Sequence, residues 1–290
     1  MLVYFDTNIF DNLLKKTQGI TERVEASLRA AIKSGALSVL VEIHAIDETA
    51  ASRRDPVPQL RLIWELCDWD RIVKPADMLL VDDIKHFAFS GDAAHPFIEA
   101  RQRDGLSEAM QMLLADSERL TKMRELVQNA RLQKQQFRFN IQDLKRETRS
   151  EFLAAREREQ VDSFDEYFEK ESRLVAIWLA EHVGLKQDCE RRSIDEFLKI
   201  RSVRMAVGMT LSYIWASNVE TWKAKPSDSG DLQHPIPAAA AADVFVTHDS
   251  GLANLARRVP LRGLRVTTLS SGSEMLASAA SYLFRAALPT

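Results

Sequence analysis

Four carboxylates in this chain stand where an oxygen-only metal site could be assembled: Asp6, Glu42, Asp231 and Asp249. Asp6 opens the triplet Asp6-Thr7-Asn8 directly after the apolar run Met1-Leu2-Val3-Tyr4-Phe5. Asp249 ends Val244-Phe245-Val246-Thr247-His248-Asp249, a second apolar run closed by Thr and Asp. Glu42 follows Val39-Leu40-Val41, and Asp231 begins a helical stretch upstream of Asp249. Carboxylates held close together repel and raise one another's pKa unless a cation neutralises them. Oxygen-only clusters suit Mg²⁺ or Mn²⁺, hard ions that keep several waters. One or two such ions activate water and stabilise the charge that develops on a phosphodiester during in-line displacement. Thr7, Asn8 and Thr247 would orient the carboxylates or their waters, with His234 and Asp243 close by in sequence.

Each residue also has an ordinary explanation. An Asp after a strand is often a helix N-cap or turn former, which could hold for Asp6 or Asp249 taken singly. Glu42 competes with Asp47 and Glu48, which a solvated helix face explains better. Asp231 competes with Asp228 in a Ser-Asp-Ser-Gly-Asp loop. Asp243 precedes a strand and is also explained as a cap on the Ala-rich segment before it, and Asp11 as a solvated helix position. A lone His, such as His234 or His248, is more often not a ligand.

The elements that must position these acids alternate. Apolar strands are expected at Leu2–Phe5, Leu37–Val41, Arg71–Lys74, Val244–Thr247 and near Arg265–Thr268. Between them, helical spacing is read around Ile9–Lys15, from Glu22 to Ile32, and over Leu60, Ile63, Trp64 and Cys67. Strands separated by helices imply a parallel sheet covered on both faces, and ligands of such sheets sit at the carboxyl ends of the strands. Residues 85–225 read as all-helical, with capping-box candidates at Ser163-x-x-Glu166 and Ser193-x-x-Glu196 and a helix stop at Gly184. The expectation is therefore an α/β domain formed by 1–84 plus 226–290, interrupted by a helical insertion at 85–225.

An apolar fraction of 46% is ample for a core in 290 residues, and a net charge of −3 argues against a basic coater of nucleic acid. Two cysteines are too few for a disulfide framework or a zinc site, which fits a reducing cytoplasm. The chain opens on a strand with no basic lead-in, so no secretion signal is expected. No apolar run approaches the length of a membrane span.

Phe5-Asp6-Thr7-Asn8, Val39-Leu40-Val41-Glu42, Asp231 and Val246-Thr247-His248-Asp249 together resemble the PIN domain, a metal-dependent nuclease family. The resemblance covers the two outer segments. It implies a five-stranded parallel sheet in the order 3-2-1-4-5, with Asp6, Glu42, Asp231 and Asp249 holding one or two Mg²⁺ or Mn²⁺ ions. It also implies hydrolysis of RNA to a 5′-phosphate and a 3′-hydroxyl, so an endoribonuclease is the leading reading, with DNA a possible substrate. Departures are the long insertion and the Pro235 and Pro237 that follow the third acid. Alternatives are a non-catalytic module that binds nucleic acid or protein and the toxin of a toxin–antitoxin pair. A haloacid-dehalogenase-like phosphatase is disfavoured, because Asn8 stands where its second Asp would be and no Gly-rich phosphate loop follows.

Within the insertion, residues 119–159 carry eleven Lys/Arg against six Asp/Glu, a local excess of +5. Lys134 and Arg138 interleave there with Phe137 and Phe139, a composition suited to phosphates and unpaired bases, although the aromatics could equally face a core. Arg201 and Arg204, ahead of an apolar helix at Met205–Trp222, are further candidates for phosphate contact. The insertion could also carry a homo-oligomer or protein contact.

Overall fold

The computed structural model describes residues 1–17, 20–50, 55–115, 149–220 and 231–269. Four parallel strands form its sheet: β1 (Leu2–Phe5), β2 (Ser38–Leu40), β3 (Val244–Thr247) and β4 (Arg265–Thr268), in the order β2-β1-β3-β4. The central strand β1 pairs Val3 with Val39 on one side and with Val244 on the other. Side chains alternate across a strand, and here the alternation divides the core in two. Tyr4, Leu40 and Phe245 face one hydrophobic cluster, while Val3, Phe5, Val39, Val244 and Val246 face the other.

The second cluster is closed by α1 (Thr7–Lys15), α2 (Glu22–Lys33), α3 (Ile43–Ala50), α4 (Val57–Leu66) and α6 (Ala100–Ala115). The first is closed by α5 (Ala76–Ser90), α8 (Phe164–His182), α9 (Lys186–Arg192), α10 (Ile194–Phe197), α11 (Arg201–Asn218), α12 (Pro235–Ala241) and α13 (Ser250–Arg258). Helix α7 (Arg149–Arg158) packs Phe152 against Trp215 in a small third cluster. Local chemistry sets several of these boundaries. Ser163 and Glu166 form a reciprocal capping box at the start of α8, and Gly184, at φ 77°, follows the helix where a left-handed residue is needed. Pro235 and Pro237 fall in the first turn of α12, where a missing N–H breaks no helical hydrogen bond.

Two expectations are corrected. The third strand is reduced to Val73, whose N–H donates to Val41 O at 2.9 Å in a parallel bridge with Glu42. Its neighbours turn the other way: Ile98 N donates to Ile72 O, and Lys74 N to Pro96 O. Pro75 and α5 follow at once, and β2 has already given way to α3, so the ladder does not lengthen and, among the described residues, the sheet has four strands rather than five. Ser193, at φ 124°, makes no side-chain cap, unlike Ser163. The position 84/85, where the sequence pattern changes, lies within α5. The described part of 85–225 is not a layer apart: Val203, Ala206, Val207 and Met209 of α11 share one core with Tyr4 and Phe245.

Candidate metal centre at the carboxyl edge of the sheet

Asp6 leaves β1 with its N–H bonded to Val246 O at 3.0 Å, which pins it to the end of β3. It stands at the N-cap position of α1 but does not cap the helix. Its Oδ2 accepts from the Thr247 hydroxyl at 2.7 Å, and the residue is 3% exposed. The same Thr247 oxygen accepts from Asp249 N at 3.1 Å, so one buried hydroxyl ties the two acidic strand ends together. Asp249 does take the capping role: its Oδ1 accepts from Gly251 N and Leu252 N at 2.7 and 3.0 Å, and the residue is exposed.

Glu42, at the joint between the Val73 bridge and α3, is 3% exposed. Its Oε1 lies 3.5 Å from His234 Nδ1, while its Oε2 is buried with no hydrogen-bond partner. A buried carboxylate oxygen left unpaired is costly. His234, 9% exposed, is pulled in two directions. Burial pushes its pKa down, but contact with Glu42 and the charges of Asp6, Glu42 and Glu48 outweigh burial and raise it to about 10. It is therefore an imidazolium at neutral pH, facing the acids.

Asp231 sits half-buried at the start of the turn that leads into α12, and its carbonyl accepts from His234 N. Burial raises its pKa to about 6; His234 opposes the rise, while Asp6, Glu48 and Asp249 add to it. The Tyr4 hydroxyl, buried beneath the cluster, is raised well above its ordinary value by burial and then by Glu42 and Asp6. These mutual influences bring Asp6, Glu42, Asp231 and Asp249 into one electrostatic neighbourhood at the carboxyl edge.

Glu48 belongs to the same neighbourhood and was not expected there. It is half-buried, accepts from the Thr7 hydroxyl at 3.0 Å and contributes to the raised pKa of Tyr4, Asp231 and His234. The readable signal was the polar stripe His44–Glu48 at i,i+4 on α3. His44 also turns towards acids, 3.9 Å from Asp47 and 3.8 Å from Asp77, ion-pair distances that lift its pKa to about 9.

Other candidates lie elsewhere. Asp243 is at the amino end of β3, where its Oδ2 accepts from Leu2 N at 2.8 Å; it fastens two strands at the edge opposite the acids and cannot orient them. Arg201 donates to Ala242 O and Gly263 O, and Arg204 to Pro260 O while covering the Phe168 ring. Both thus serve backbone carbonyls around the amino ends of β3 and β4 rather than the acidic edge. Asn8 is exposed on the first turn of α1, His248 is exposed beside Asp249, and Asp11 pairs with Lys15 on the surface. Lys134, Arg138, Phe137, Phe139 and Asp228 lie outside the described residues.

Hard oxygen donors, an excess of negative charge and an unpartnered buried oxygen fit a divalent cation in donor type and charge. They do not form a ready cage: among the described residues no three His, Cys, Asp or Glu side chains are grouped to hold one ion. No helix of the described residues is long and apolar enough to cross a membrane. Compared with protein-family models, with curated proteins and with solved structures, the chain matches none.

Proposed function

We propose that this protein is a Mg²⁺- or Mn²⁺-dependent nuclease of PIN-like type that hydrolyses phosphodiester bonds in RNA, with Asp6, Glu42, Asp231 and Asp249 as the residues that would hold the ion. The observation that carries the reading is the buried Glu42 Oε2 without a partner, at the same sheet edge as the buried Asp6. An ion there supplies activation of water and neutralises charge on the phosphodiester. The chain's own residues do the positioning. Thr247 fixes the rotamer of Asp6, Thr7 holds Glu48, and His234 holds one oxygen of Glu42 and leaves the other bare. Asp249 keeps one oxygen on the amides of α13, so only its second oxygen is available to a ligand.

The test is Mn²⁺-dependent cleavage of labelled single-stranded RNA by the wild type and by Asp6→Asn. Activity should fall by about a hundredfold or more in the variant, at least the loss typical when a residue supporting a metal site is removed. Equal rates would reject the role of Asp6. One observation favours a second, non-catalytic reading: the His234 imidazolium already offers the cluster a positive charge. Under that reading the protein is a binding module, and Mn²⁺ titration shows neither saturable binding nor cleavage.

A further inference from the structure

We draw no further inference here: the strongest candidate, the cleft of about 310 Å³ at the amino end of α11 where Arg201 Nε has no hydrogen-bond partner among the described residues, rests on a helix N-terminus and a part-exposed guanidinium already held by Ala242 O and Gly263 O, and the Asp83, Asp92 and Glu196 that line it oppose the anion such a terminus would attract.

Discussion

Replacing Asp231 with Asn should stabilise the metal-free protein at neutral pH. In the fold its pKa is moved from 3.8 to about 6, first by burial and then by Asp6, Glu48 and Asp249. A folded-state pKa above the unfolded value means that the folded state binds the proton more tightly, so stability falls as pH rises between about 4 and about 6. At 1.36 kcal/mol per pH unit the full cost would be about 3 kcal/mol. Asp231 is only half-buried, and solvent screening reduces this to about 1 kcal/mol. For a chain of this length that corresponds to a rise in Tm of about 2 °C. Thermal unfolding in EDTA should therefore show Asp231→Asn above the wild type at pH 7.5, with the gap closing by pH 4. Saturating Mn²⁺ should reverse the order, because an ion at a hundred times its Kd contributes about 2.7 kcal/mol and the wild type would bind it better. A gap independent of pH, or a less stable variant at pH 7.5, would refute the electrostatic argument.

Three other outcomes follow from the geometry. Asp249→Asn should keep the cap on α13 and stay within a few tenths of a kcal/mol of wild type while losing Mn²⁺-dependent cleavage; Asp249→Ala should lose cleavage and also about 1 kcal/mol in urea unfolding. The His234–Glu42 contact should add stability that is complete below about pH 6.5 and lost as pH rises through about 10, so the urea midpoints of wild type and His234→Gln should converge at high pH. Gly208→Ala should cost about 1–3 kcal/mol, read from chemical denaturation, because a methyl group there would overlap both γ-carbons of Val259 across the contact between α11 and α13.

The place of Asp6 at the sheet edge was legible because it follows the last apolar residue of a strand; that it leaves its cap position unused and meets Thr247 was not. Asp243 was misread for the complementary reason. It abuts the same strand as Thr247, but adjacency in sequence is only useful once the strand's direction is considered. Glu48 was lost among the charges of an amphipathic helix, since a side chain on the flank of α3 looks solvated until Thr7 is seen beside it. Arg201 and Arg204 had the right charge for phosphate, but the sequence does not reveal that loop carbonyls claim them first. The division at 84/85 was drawn because no strand pattern is read in the sequence of 85–225. The clue to the shared core was α11, apolar on nearly every side, which a helix on the outside of a separate lobe would not be.

The central position of β1 has a consequence for how the chain reaches its fold. Residues at the amino terminus pair on one side with β2 and on the other with β3, whose residues lie some 240 positions later. Closing so long a loop is entropically slow, and such non-local pairing lowers folding rates. At roughly 5–20 residues per second of synthesis, the first strand waits on the order of tens of seconds for its second neighbour. During that interval one edge of an apolar strand has no partner from its own sheet, a template for pairing with another chain. Expression slowed or interrupted before Val244 should therefore favour aggregation over a partly folded product.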